Sequence, residues 1–474
     1  MLRRLVLPLA VILCAQTAHA MDPIPGEQRF ESMLPPQNNA SAGLGLTKID
    51  GMYYLQLMLA TEFNLGPVGI GLQVPLNVQL YPRDGASNNY FYGLLRRQDW
   101  DQTSDWVRFI RYVRLGNKRD TLFLRVGMMS ADIGHGTIMG RYINNLDVNS
   151  VRVGTQFDLN TDYGGFETVI SDIGTLTDSQ STKSRVFGGR VYFKPVSLWD
   201  PESFLNIFAI GATVVSDLNA PLTLPPANGQ VQTSANGENV AVATTTSATV
   251  FGFDAEAQVM HNALLDLIPY TDMNFINKAG DGWHAGIQAT AKMPIGFSLT
   301  IPVRLEYRRF ASNYEPMYFS TFYEMERYNY PLNGAGTPKA FAVRTQPGPT
   351  INGIYADLAL NFLGLVQVGA AYQAYDGGKA PFTEVYVSVP ALETIQAKAY
   401  YAREGRISKW SDIFAQNASS MIVAEARYEM YSYIYLVARW SRMWTLNTNA
   451  NTSSVQPYVS SDTWNFGFEA SFNY

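Results

Sequence analysis

The sequence predicts an all-β protein: a single closed transmembrane antiparallel β-barrel of about 16–20 strands, with long loops at one end and short turns at the other. Three observations carry that expectation. Apolar residues alternate with small or polar ones over runs of about ten to fourteen residues, a length suited to a tilted membrane-crossing strand. Several apolar faces end in aromatics, as an interfacial girdle requires. The opposite faces hold charges in mid-strand, which suits a hydrated lumen and not a dry core.

The first element is an export signal. Arg3 and Arg4 precede an apolar run at residues 5–13, and Ala18-His19-Ala20 has the small-x-small pattern of a cleavage site. The run is too short for a membrane anchor. Removal of residues 1–20 leaves 474 − 20 = 454 residues. Cys14, the one cysteine, lies inside the signal, and the bulk of Leu13 before it argues against lipidation. Residues 21–40 read as a short polar tail and residues 41–474 as the barrel.

Period two then sets in. Tyr53, Leu55, Leu57 and Leu59 share one face, with Tyr54, Gln56, Met58 and Ala60 on the other. Gly66-Pro67 breaks the run, after which Val68, Ile70, Leu72 and Val74 oppose Gly69, Gly71, Gln73 and Pro75. That is a hairpin with one apolar face. Val151, Val153 and Phe157 oppose Arg152, Gly154 and Gln156 in the same way, and Leu299, Ile301, Val303 and Leu305 oppose Thr300, Arg304, Glu306 and Arg308. Arg111 and Trp440 break the alternation, and residues 264–275 carry the weakest strand pattern.

Connections alternate in length. Short ones fall near residues 66–67, 116–120, 160–162, 195–202, 261–263, 293–295, 362–364, 390–393 and 431. Longer ones fall near 82–104, 131–149, 172–184, 217–247, 311–349, 405–420 and 447–462. Barrels of this kind keep short turns in the periplasm and long loops outside. The last strand then descends to the periplasm, and closure needs an upward first strand, which residues 42–48 supply. The raw count is about 20. The stretch 217–247, poor in charge and rich in Thr, Ala, Asn and Gly, reads as a mobile outer loop.

Composition narrows the function. The chain is 47% hydrophobic, 13% aromatic and 16% charged, with 35 basic against 40 acidic residues. Abundant aromatics and a small net charge exclude wholesale disorder. The absence of a basic field disfavours nucleic acid as a partner. Four His and one Cys leave little for a structural zinc site. Beyond the signal, only His135, His261 and His284 could serve a Ser/His/Asp set, and no Gly-x-Ser-x-Gly turn or HExxH occurs. No catalytic residue, cofactor or metal ligand is assigned, and the protein is expected not to be an enzyme.

The lumen offers the candidates. The tract 127–149, GMMSADIGHGTIMGRYINNLDVN, holds Asp132, His135 and Arg141 in a Gly-rich setting that lets the backbone turn tightly. It reads as a loop, exposed or folded into the barrel mouth as a constriction. Arg108, Arg114, Arg125 and Arg152 are expected to point inward early in the chain, and Glu306, Glu425, Glu429 and Glu469 later. Together with Arg304 they form either a transverse field across a pore or mutual pairs that hold a filled barrel together. Aromatics at residues 314–330 and 372–375 are sugar-stacking platforms or, more ordinarily, girdle and loop packing.

The C-terminal run Trp464-Asn465-Phe466-Gly467-Phe468-Glu469-Ala470-Ser471-Phe472-Asn473-Tyr474, with the signal and the alternation, resembles the Gram-negative outer-membrane barrels. Phe468, Ala470, Phe472 and Tyr474 match the spaced positions of the class's assembly signal, with Tyr in place of the commoner terminal Phe. The resemblance implies an outer-membrane location, contact with lipid and lipopolysaccharide, and insertion by the barrel-assembly machinery. It singles out no porin family: the trimeric porins carry a more charged lumen, and the large plug of the TonB-dependent receptors has no counterpart. The leading expectation is a diffusion channel for ions or small hydrophilic solutes. The alternative is a structural or interaction barrel within an envelope machine for secretion, adhesion or surface motility. A homo-oligomer or an envelope complex is the partner expected in each case.

Overall fold

The computed structural model describes residues 38–49, 51–81, 94–96, 99–100, 106, 109–118, 120–149, 151–176, 183–200, 203–225, 240–294, 298–332, 336–345, 348–389, 394–415, 419–447 and 457–473. The expected signal, most of the expected tail, Arg108 and Tyr474 lie outside them.

Twenty staves close one antiparallel barrel. The first half comprises β1 (Asn39–Ile49), β2 (Met52–Leu65), β3 (Val68–Tyr81), β4 (Ile110–Leu115), β5 (Leu122–Gly127), β8 (Gly154–Asn160), β9 (Gly164–Ile170), β10 (Val186–Phe193), β11 (Phe208–Thr223) and β12 (Thr244–Ala257). The second comprises β14 (Leu265–Ile276), β15 (Asp281–Pro294), β16 (Ser298–Phe310), β17 (Ile351–Phe362), β18 (Val366–Tyr375), β19 (Phe382–Val389), β20 (Ile395–Glu404), β21 (Ser420–Tyr431), β22 (Ile434–Leu446) and β23 (Tyr458–Asn473). The short strands β6 (Ser130–Ala131) and β7 (Tyr142–Ile143) pair with each other away from the wall, and β13 (Met260–His261) is a flap on β14. β1 pairs with β2 on one side and with β23 on the other, from Asn39↔Asn473 to Lys48↔Trp464. Every stave pairs with a neighbour on each side, so the sheet closes on itself, as strands in lipid require.

Period two explains the wall. Leu44, Leu46, Phe466 and Phe468 stand more than half exposed on the outside, while Asn39, Thr47, Ser471 and Glu469 are buried within. Such an outer surface is unstable in water and suited to lipid. The predicted turns and loops fall at opposite ends, and the pattern-poor run 264–275 forms β14.

Several expectations are corrected. The barrel begins at Asn39, not at residue 41. β4, β5, β8 and β9 have six, six, seven and seven residues, shorter than the predicted runs, because the chain leaves the wall at Gly127 and rejoins it only at Gly154. Arg152 therefore precedes a strand and does not sit on one. The outer loop at 217–247 is shorter than expected. β11 runs on to Thr223 and β12 starts at Thr244, held by irregular pairing and a 2.6 Å Thr223–Thr244 hydroxyl contact. Arg111 breaks the alternation because it is a bulge residue: Gly71 faces Tyr112 and Leu72 faces Ile110, so Arg111 and Tyr112 both turn inward. Trp440 does not break it. It lies on the outer face with Ile434, Leu436 and Ala438, stacked on Trp464 at 5.1 Å.

Two long connections fold into the barrel. Residues 128–149 and 311–332 meet inside it, Met139 forming a parallel bridge with Phe319. The Met317 amide donates to Thr137 at 2.8 Å, and the Gly140 amide to Phe319 at 3.2 Å. Around this clasp Ile138, Met139, Tyr142, Phe319 and Tyr323 form a dry core. A second cluster joins Leu146, Phe322 and Trp444. The aromatics near residues 314–330 are thus packing residues of an infolded loop.

Candidate functional site

The lumen has a side filled by the infolded loops and a side at the closing seam, and the charged residues sort between them. On the filled side the tip of the 128–153 loop reaches the wall. Gly134 adopts φ 56 in the tight turn, and its amide donates to Glu167 at 3.0 Å. A side chain there would meet Arg190 Cδ at 2.7 Å, so both the backbone and the space favour glycine. His135 then inserts between two carboxylates, with Nδ1 2.8 Å from Asp272 and Nε2 2.7 Å from Glu256, its ring stacked on Tyr270 at 4.0 Å. Burial opposes the charge, but Asp272 and then Glu256 outweigh it, and the pKa rises to about 9. With a carboxylate on each nitrogen, the ring serves as a doubly protonated imidazolium.

His135, Asp254 and Asp272 offer ligand atoms within 4.8 Å of one another. The charge balance there is already met by protein groups. His135 neutralises Asp272, while Arg190 holds Asp254 through two bonds of 2.6 and 3.0 Å. The cluster is an ion-pair latch between loop and wall.

The latch carries a pH signature. A folded-state pKa of about 9 against an ordinary 6.5 gives a contribution that is complete below pH 6.5 and lost as pH rises through 9, about 3 kcal/mol in all. Loop anchoring is therefore expected to weaken between those limits. Thermal unfolding followed across this range should show the decline in the natural protein, and a much flatter profile in His135→Gln.

Arg141 is the second anchor. It adopts φ 55, donates its amide to Asp132 at 2.8 Å, and sends its guanidinium to Asp357 on β17 and Glu384 on β19. Arg152 pairs with Glu324 of the other infolded loop and donates to Ser184 at 2.8 Å. Glu306 on β16 collects Arg304 at 2.5 Å, Arg308, His284 at 2.9 Å and the Tyr270 hydroxyl at 2.5 Å. Of the arginines expected either to line a pore or to pair within a filled barrel, Arg152 and Arg304 are partners in buried pairs. Arg125 stacks on Tyr112 at 4.9 Å, and Arg114 bonds Asn117 near the turn end.

The other side is the closing seam. Gly43 and Gly45 on β1 and Gly467 on β23 line a recess with Gln56, Asn465 and Arg439. Gly45 faces both Gln56 and Gly467 in register. With no side chain between them, Gln56 reaches across β1 to accept from Asn465 at 2.8 Å, and donates to Asn77 at 2.9 Å. Asn77 donates in turn to Asp99, which holds Arg96 at 2.6 Å. This belt of amides runs from β23 across β1 to β2 and β3. Arg439, 27% exposed, pairs with Glu425 at 2.5 Å and lies 3.5 Å from Glu469.

Asp132, His135, Arg141, Arg152, Arg304 and Glu306 therefore gather on the filled side, and Glu425 at the seam. Phe468, Ala470 and Phe472 face outward on β23. Sequence reasoning missed Asp272, Asp357, Glu384, Glu324 and the glycine–amide seam. Strand parity marks the first three as inward-facing, but nothing in the sequence pairs them with a loop more than a hundred residues away.

No protein-family model matches the chain, and no curated protein matches it. Among solved structures, Acinetobacter baumannii OccAB3 is 9% identical over 92% of this chain and 99% of its own, with a TM-score of 0.33. Pseudomonas aeruginosa OccK1 (OpdK) is 10% identical over 92% and 98%, with a TM-score of 0.34. OccK3 (OpdO) of the same organism is 10% identical over 92% and 95%, with a TM-score of 0.33. At such scores the architecture stands on the chain's own strand pairing.

Proposed function

We propose that the protein is an outer-membrane diffusion channel of a Gram-negative envelope, without catalytic activity, that passes ions or small hydrophilic solutes along the β22–β23–β1–β2–β3 side of its lumen. The observation that carries this reading is the inner surface of the seam. The atoms nearest to where side chains at Gly43 and Gly45 would begin belong to the adjoining strands: Met58, Phe466, Gly467, Phe468 and Glu469. The wall there is glycine and amide, which offers dipoles to a passing solute without binding it tightly. Arg439 shares its charge with Glu425 and Glu469, so the path is expected to discriminate weakly between small anions and cations.

Gly43→Trp tests the path. A Cβ at Gly43 meets its nearest atoms at 3.7–3.8 Å, an ordinary contact, so the barrel should fold with the indole projecting from the seam into the lumen. Most of the single-channel conductance in a planar bilayer should be lost. Unchanged conductance in the folded variant would place permeation elsewhere.

The two dry clusters within the lumen support a second reading, an interaction barrel whose infolded loops serve rigidity. It expects a folded protein that is silent in the bilayer and emerges from gentle extraction with a stable partner.

A further inference from the structure

The outer wall carries a groove of about 530 Å³ whose floor and rim differ in chemistry. Ala424 and Ala426 of β21 and Ala438 of β22 pave the floor, since Ala426 faces Ala438 across the ladder. Trp440 and Trp464 form one bank, stacked nearly parallel at 10°. Lys48 stands at the rim, paired in register with Trp464 on one side and Tyr53 on the other. It lies one residue from the end of β1, at the long-loop end of the barrel, level with these aromatics.

Lys48 is the distinguishing feature. It is a cation on the lipid face, its ammonium 5.9 Å from the Tyr53 ring centre, with no carboxylate partner among the described residues. The Trp440 indole N–H has no acceptor among them either. A second groove of about 480 Å³ lies against β9–β12, and its outward side chains, among them Phe166, Val191, Val214 and Phe253, bear no charge. Only the first joins an acyl-sized apolar trough to an unneutralised cation at interfacial height.

We propose that this groove is a binding site for a phosphorylated, acylated glycolipid of the outer leaflet. An acyl chain lies over the alanine floor and a headgroup phosphate sits on Lys48. The charge complementarity fixes the occupant as anionic, and the position at the long-loop end fixes the leaflet. The site rests on the outer-membrane orientation and not on permeation.

The test uses the full barrel in phosphatidylcholine nanodiscs doped with diphosphorylated lipid A, or with the same glycolipid stripped of phosphate, and reads retained lipid by native mass spectrometry. The natural protein should retain lipid A in preference to the phosphate-free form. Lys48→Glu should weaken retention about fivefold or more, the effect of one interfacial lysine. Ala426→Leu, which fills the floor and leaves the charge, should weaken both forms. Equal retention by Lys48→Glu, equal binding of the phosphate-free lipid, or a second copy of the chain in the groove would overturn the site. Lys48→Gln stands in if the glutamate variant fails to insert, with heat-dependent electrophoretic mobility as the check on folding. A conducting barrel that retains no lipid A would sink this site and leave the channel standing. A silent barrel that retains it would do the reverse.

Discussion

Arg141→Ala is expected to release the 128–153 loop from the wall and to destabilise the barrel by about 3–5 kcal/mol, because it strips a buried pair of carboxylates of their cation. Asp357 and Glu384 are 1% and 0% exposed, and both depend on this guanidinium. The loss should appear as a lower temperature for the heat-dependent shift in electrophoretic mobility. Single-channel recordings should show a larger and noisier conductance as the filled side opens. The triple variant Arg141→Met, Asp357→Leu, Glu384→Leu should recover much of the stability, since an apolar replacement of a whole buried pair is often neutral. Stability unchanged by the single substitution would mean that the clasp at Met139 and Phe319 holds the loop alone.

Glu306→Gln should cost a similar amount, about 3–5 kcal/mol, by leaving two buried arginines facing each other without their shared anion. Arg308 is 0% exposed and Arg304 is 6% exposed, so water cannot replace the carboxylate. Glutamine keeps the shape and loses the charge, and the effect therefore isolates electrostatics from packing. Here the conductance is expected to change little, because the cluster faces the filled side. Thermal unfolding of the two variants beside the natural protein checks both expectations.

The contrast between wall and interior shows what the sequence could reveal. Each stave is a local pattern: Leu44, Leu46 and Lys48 alternate with Gly43, Gly45 and Thr47, and Gly66-Pro67 ends a run wherever it occurs. Strand pairing between chain neighbours then follows almost without choice, and the count near twenty with it. Arg111 was visible as an irregularity, though its cause was not. A bulge is defined by the partner strand, here Gly71 and Leu72 on β3.

The interior follows other rules. His135 and Arg141 were legible as a Gly-rich tract with functional side chains, yet their partners lie on β12, β14, β17 and β19. Nothing local distinguishes a loop that rises into solvent from one that folds inward. The aromatics Tyr314, Tyr318, Phe319 and Tyr323 suit either a girdle or a core. The seam was hidden for a different reason. Gly43 and Gly45 look like weak positions in a strand, and their value emerges only when β1 closes the barrel and Gln56 reaches across to Asn465.

The central claim is that solute passes along this seam, and the most direct test is a thiol placed on it. The one native cysteine, Cys14, lies in the segment read as an export signal, so Cys14→Ser with Gly43→Cys gives a barrel whose single thiol is in the recess. Stepwise bilayer conductance that falls when a bulky methanethiosulfonate reagent is added, and recovers on reduction, is the result the account predicts. A folded Gly43→Cys barrel that conducts and is indifferent to the reagent, though fully labelled, would contradict it.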